Sequence, residues 1–214
     1  MLAVIACLAG VLAILVVSEI LWKYKILRGE YNRKFVHIAV GIFVAFWPWL
    51  ISWRAIQVIA LLMLVVNLFD RRPIFHSNAP VQRRTYGNIL YAVAILLCSM
   101  LTDQKIFFAL AIFHLSVADG LAAIVGEKLH KRWGYKIFHY TKTVIGTMAF
   151  WLVSVFILGI GLLFARDLIG YHQYTVLILG LPPILAILEN AGGFWGTDNI
   201  LVPLAVLSAL SLAA

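Results

Sequence analysis

Hydrophobic and polar residues along this chain come in blocks. Apolar runs cover about 2–22, 35–52, 55–69, 87–101, 106–125, 144–165, 174–188 and 198–213. Runs of this kind read as transmembrane helices, although several fall short of the roughly 20 residues that a perpendicular crossing needs. The second and third runs are separated only by Trp53 and Arg54. The pattern predicts an all-α, polytopic transmembrane bundle of about eight helices, with seven and nine as the neighbouring counts. No identical repeat and no linker divides it, so residues 1–214 read as a single transmembrane domain.

Composition agrees. Of 214 residues, 64% are hydrophobic and 12% charged, where a soluble domain carries roughly 25% charged residues. Too little polar surface remains to cover a water-soluble globule. Cys7 and Cys98 both lie inside apolar runs, which indicates neither a disulfide framework nor a metal site. Val4-Ile5-Ala6-Cys7 has a faint look of a lipoprotein cleavage site, but it lies close to the start and lacks a basic leader. Residues 2–22 are therefore expected to be a retained helix.

Charge gives the bundle a direction. The net charge of +8 does not point to nucleic acid, because the bases fall in short loops between apolar runs. There they act as topology signals and headgroup contacts. The first loop carries Lys23, Lys25, Arg28, Arg33 and Lys34; the third carries Arg71, Arg72, Arg83 and Arg84; the fifth carries Lys128, Lys131, Arg132, Lys136 and Lys142. The seventh has none, and the even loops hold only Arg54, Lys105 and Arg166. Fourteen of the 17 bases thus lie on one side. The positive-inside rule makes that side cytosolic and puts both termini outside.

Some polar residues are not explained by topology. Asp119 ends a run of mostly apolar residues near the cytosolic end of the fifth helix. An Asp at a helix centre costs about 2.5–3.5 kcal/mol to insert, so it should face a partner, a metal or water. Glu19 is close enough to Lys23 to snorkel. Glu30, Arg33, Lys34 and His37 share one side of a helix, a pattern that an amphipathic helix start would also give. His114 reads as a core histidine. Lys142-Thr143 adjoins the free backbone N–H groups at the start of the sixth helix, which makes an anion site, and Gly146 permits close approach of a helix or ligand.

The seventh loop, Glu189-Asn190-Ala191-Gly192-Gly193-Phe194-Trp195-Gly196-Thr197-Asp198-Asn199, is acidic, glycine-rich and free of bases. Its carboxylates suit Mg²⁺, which binds through one or two carboxylates plus substrate phosphates. A helix cap would explain Asp198 or Asn199, but not Glu189 and the glycines. One surface therefore gathers Asp119, Glu189 and Asp198 with Arg33, Lys34, Arg83, Arg84 and Lys142. Phosphoryl or nucleotidyl transfer needs this combination, with metal on the carboxylates and cations on the phosphates. No Walker-type loop and no protein-kinase motif is present.

Five motifs in order carry a family resemblance: Glu30-x-x-Arg33-Lys34-x-x-His37; Arg84-x-Tyr86-Gly87; Ala118-Asp119-Gly120-x-Ala122-x-x-x-Gly126; Lys142-Thr143-x-x-Gly146-Thr147; and Asp198-Asn199-x-x-x-Pro203. From about residue 19 to 205 the chain resembles the CTP-dependent polyprenol kinase family, which includes dolichol kinase, phytol kinase and the CTP-dependent diacylglycerol kinase of fungi. The resemblance implies an enzyme that moves the γ-phosphate of CTP to a lipid hydroxyl with a divalent metal. Asp119 to Gly126, with Gly120, and Lys142 to Thr147, with Thr143 and Gly146, would form the CTP site. Asp119, Asp198 and Glu189 would hold Mg²⁺, with Asp119 or Asp198 accepting the alcohol proton. Lys142, Arg33, Lys34 and Arg84 would bind phosphates, and Asn199 a phosphate or metal-bound water. Glu30 and the catalytic His37 would orient these groups or the lipid hydroxyl, with Gly87 in support.

Ile145 stands where the related phosphatidate cytidylyltransferases, and many kinases of the family, carry a glutamate, which counts modestly against the CDP-lipid alternative. His130 replaces a second glycine of the third motif, with Gly134 further on. A small transporter would also carry intramembrane carboxylates, but with inverted repeats and charges near the midplane. An inactive relative is compatible with the same sequence. The partners expected are the bilayer and a lipid alcohol, whether polyprenol, phytol-like alcohol or diacylglycerol. Nothing in the sequence fixes the oligomeric state. The compact length and lack of an organelle-targeting segment lead to the expectation of a prokaryotic plasma membrane. The orientation is testable: a cysteine replacing Lys131 should be shielded from an impermeant thiol reagent added to intact cells, and labelling there would reverse the topology.

Overall fold

A computed structural model of the protein describes residues 1–69, 86–137, 140–192 and 196–214. Arg71, Arg72, Arg83, Arg84, Gly193, Phe194 and Trp195 lie outside the described residues. Among the described residues, eight helical segments follow the apolar runs. They are α1 (Leu2–Lys23), α2 (Glu30–Leu50), α3 (Trp53–Phe69), α4 (Gly87–Leu101), α5 (105–133), α6 (Val144–Gly161), α7 (Tyr171–Gly192) and α8 (Asp198–Ala213). The helical bundle and its apolar spans fit a multi-pass membrane protein. Five segments are long and apolar enough to cross a bilayer, while α3, α4 and α8 are apolar but shorter.

The boundaries depart from the sequence reading in instructive places. α2 starts at Glu30 rather than near 35, because the amphipathic turn of Glu30, Arg33, Lys34 and His37 is already helical. The fifth loop is not irregular. α5 runs on to Trp133, and an antiparallel hairpin follows, with β1 (Gly134–Ile137) paired to β2 (Tyr140–Thr143). Glu189, assigned to the seventh loop, belongs to the last turns of α7. Strong helix formers such as Glu127 and Lys128 continue α5 after the apolar run ends.

α5 is the centre of the bundle. Its span is 61% buried, against 11% for α1 at the periphery. Phe107, Phe108, Leu110, Ile112 and Leu115 of α5 are fully buried, as are Phe150, Leu185 and Val206 of α6, α7 and α8. Small residues bring the helices together, as close packing in a membrane requires. A Cβ on Gly41 of α2 would run into Ser116 and lie 2.8 Å from the Tyr91 hydroxyl.

α4 and α5 meet through Thr102–Gln104 at one end of the bundle. Gly87 lies 14 residues before Leu101, and Asp119 lies 14 residues after Lys105, so each is about 21 Å along its helix at 1.5 Å per residue. Asp119 is therefore level with the start of α4. That level falls short of a hydrocarbon core about 30 Å thick. The starts of α2, α6 and α8 and the end of α7 share this end of the bundle.

Candidate active site

The helix that carries Asp119 is irregular just before it. α5 is α-helical over Lys105–Phe113, turns into a π-helix over His114–Ala118, and resumes as an α-helix at Asp119. A π-turn takes one extra residue and frees a carbonyl, a feature that is frequent at functional sites. Here the Leu115 carbonyl accepts a hydrogen bond from His37 Nε2 at 2.9 Å. A carbonyl only accepts, so Nε2 carries the proton. The same nitrogen lies 3.3 Å from Asp119 Oδ2. The His37 ring packs on Tyr91 of α4, with centroids 4.7 Å apart.

Lys34 completes the arrangement, with Nζ 2.6 Å from Asp119 Oδ2. The two side chains are only 7% and 18% exposed, so this is a buried ion pair joining α2 to α5. The preceding residue, Arg33, forms a bidentate pair with Glu30, about one turn earlier on the same helix. Arg33 and Lys34, two of the four cations that the resemblance assigned to phosphates, are thus engaged by carboxylates in this structure.

A second pair mirrors the first across the site. The Lys142 ammonium of β2 binds the Glu189 carboxylate of α7 and approaches the Glu189 carbonyl at 3.3 Å. Burial alone would pull the Lys142 ammonium down, but adjacent Glu189, with Asp198 and Asp119 further off, holds it above the ordinary lysine value. It therefore stays charged through neutral pH.

Asp198 opens α8, and its Oδ1 accepts from the Asn199 backbone N–H at 3.0 Å. Among the described residues no cation lies within 4.0 Å of it. Carboxylate oxygens of Asp119, Glu189 and Asp198 all lie within 4.8 Å of one another. The three residues line a small cavity together with His114, Leu115, Phe150, Asn199 and Val202. Three hard oxygen donors gathered here have the ligand chemistry that suits a divalent cation such as Mg²⁺.

The glycine motifs act through helix contacts. A Cβ on Gly146 would sit 3.1 Å from the Ala122 carbonyl and 3.3 Å from Gly126 Cα, so the two glycines let α5 and α6 touch. Thr143 caps α6 by accepting from Gly146 N–H at 3.0 Å. Gly120 leaves room for Ile38 of α2, and Gly192 for the backbone of Asp198. Gly196, at φ +81°, occupies the left-handed region and lies against Gly87. The Asn199 amide reaches the Gly87 carbonyl at 3.5 Å. The Thr147 hydroxyl is tied to Tyr135 and Asn190.

Arg84 lies outside the described residues. The sequence reading missed Tyr135, Asn190 and the π-turn. The strand-favouring run Tyr140-Thr141-Lys142-Thr143 was a usable signal for the hairpin.

Fold and site together define a polytopic membrane protein with a carboxylate–lysine centre at one end of its bundle. The chain is 29% identical over 200 residues to the phytol kinase of Synechocystis sp., a match covering 90% of this chain and 83% of that relative. The match bears out the likeness to the CTP-dependent polyprenol and phytol kinase family over nearly the whole chain. No family profile and no solved structure matches it.

The Lys34–Asp119 pair yields a stability prediction. Removing one partner of a buried pair costs about 3–5 kcal/mol. Lys34→Met should lower the thermal unfolding midpoint in detergent by several degrees, and adding Asp119→Leu should recover most of that loss. A Lys34→Met variant that melts with the wild type would show that the pair does not hold α2 to α5.

Proposed function

We propose that the chain is a membrane lipid-alcohol kinase that transfers the γ-phosphate of CTP to the hydroxyl of a polyprenol, a phytol-like isoprenoid alcohol or a diacylglycerol. The observation that carries this reading is the convergence of Asp119, Glu189 and Asp198 within 4.8 Å, flanked by Lys34 and Lys142. The phytol kinase relative supports the reaction class. The charge bias of the loops supports a cytosolic active face, where a nucleotide is available.

The electrostatics favour this order of roles. Three carboxylates face two lysines, which leaves one negative charge in excess. Asp119, Asp198 and Glu189 would hold Mg²⁺, which neutralises phosphate charge when bound. Lys34 and Lys142, pre-positioned by their carboxylates, would then turn to the phosphate chain. Arg33, held by Glu30, stands one residue from Lys34 and adds positive potential. His37, with its Nε2–H fixed on Leu115 and Asp119, presents Nδ1 as the remaining ring nitrogen to orient the lipid hydroxyl. Leu121, Val144, Met148 and Leu201 expose apolar surface within about a turn of site residues. A lipid hydroxyl could therefore reach the phosphate while its tail stays in the bilayer.

Purified protein given CTP labelled in the γ-phosphate should transfer the label to one member of a panel of polyprenol, phytol and diacylglycerol acceptors. Asp119→Asn and Lys142→Ala should each cut transfer by about 100-fold or more, without loss of folding. Release of label as pyrophosphate would favour a cytidylyltransferase instead. Near-normal turnover in either variant would remove that residue from the site.

A further inference from the structure

The hairpin that carries Lys142 has its own anchor. A two-stranded hairpin is marginally stable on its own, so its position must be set by what it touches. Tyr135 and Lys142 are directly paired across the two strands, and paired residues project from the same face. Both reach the same place on α7. Lys142 takes Glu189, and the Tyr135 hydroxyl donates to Asn190 Oδ1, the next residue, at 2.8 Å. The Asn190 amide is itself fixed, with Nδ2 donating to the Ala186 carbonyl at 2.8 Å. Its oxygen must therefore face the hairpin.

Thr147 of α6 closes a triangle, 2.6 Å from the Tyr135 hydroxyl and 3.1 Å from Asn190 Oδ1. The two hydroxyls bring two protons to three oxygen–oxygen contacts, because an amide oxygen brings none. Removing the Tyr135 hydroxyl therefore leaves Thr147 bonded to Asn190 and strands no buried donor. The two anchors also differ in stiffness. A lysine is a flexible stem that carries a point charge, whereas a tyrosine ring has two side-chain torsions and reaches as a rigid unit.

We propose that Tyr135 is a positioning residue which, acting through Asn190, docks the hairpin on α7 so that Lys142 is held beside Glu189 and in reach of the nucleotide's phosphates. The part concerning phosphates rests on the proposed kinase reading; the docking part does not. It also assigns Thr147 to the clamp.

The test uses the full chain in lipid nanodiscs. An amine-acylating reagent is applied, and modification of each lysine is followed by peptide mass spectrometry. In Tyr135→Phe, Lys142 should be acylated about fivefold faster, since one lost hydrogen bond of ordinary strength permits that much more excursion. Lys34, held by Asp119 on another element, should keep its wild-type rate. Asn190→Ala should raise Lys142 labelling as well, with no further rise on adding Tyr135→Phe, as expected of residues acting in one chain. In turnover assays, Tyr135→Phe should raise KM for CTP several-fold while kcat and KM for the lipid stay within about twofold. Unchanged Lys142 labelling in Tyr135→Phe would overturn the proposal, as would a parallel rise at Lys34, which would indicate general loosening. If labelling follows the expected pattern but the wild type transfers no phosphate from CTP, the docking role stands and the kinase reading falls.

Discussion

The buried contact between Lys34 and Asp119 is the interaction on which the rest of the site depends. An aspartate on the central helix of a membrane bundle is expensive unless its charge is met. Lys34 meets it at 2.6 Å, with His37 beside the same oxygen. Satisfying that charge fixes the start of α2 against the middle of α5. The His37 ring, in turn, seals against Tyr91 of α4. The π-turn belongs to the same solution, because the Leu115 carbonyl that orients His37 lies within it. One costly carboxylate thus organises three helices and explains why α5 is irregular where it is.

Across the cavity, Lys142 and Glu189 repeat the device between β2 and α7, and Asp198 enters from α8 without a cation of its own among the described residues. The two ion pairs keep the apolar bundle from carrying several bare charges. The unbalanced carboxylate leaves the centre with one negative charge in excess, a standing invitation to a cation. The short α4 and the level of Asp119 place this centre at less than the length of a full crossing from the other end of the bundle.

Much of this was legible in the sequence. The apolar blocks gave the eight segments, and the ends of α1, α6 and α8 fall within a residue or so of the apolar runs or their short 3₁₀ extension. That accuracy follows from the bilayer, which makes hydrophobic length a direct physical signal. Asp119, Glu189 and Asp198 were recognisable because carboxylates are costly or out of place in such a chain. What was hidden depends on tertiary placement. No local rule says that Lys34 meets a residue 85 positions away, or that the glycines of two motifs face each other. The hairpin escaped because a hydropathy reading treats every polar stretch between spans as loop, and the π-turn because it leaves no mark in composition.

The central claim is that the three carboxylates form one cation centre at the lipid–water boundary, and Mn²⁺ binding followed by electron paramagnetic resonance on protein in nanodiscs tests it most directly. The account predicts one Mn²⁺ per chain in the presence of CTP, with affinity lowered at least about tenfold in Asp198→Asn, a loss in keeping with removal of one of only a few ligands. Binding of the same strength in that variant, or no CTP-dependent site in the wild type, would contradict it.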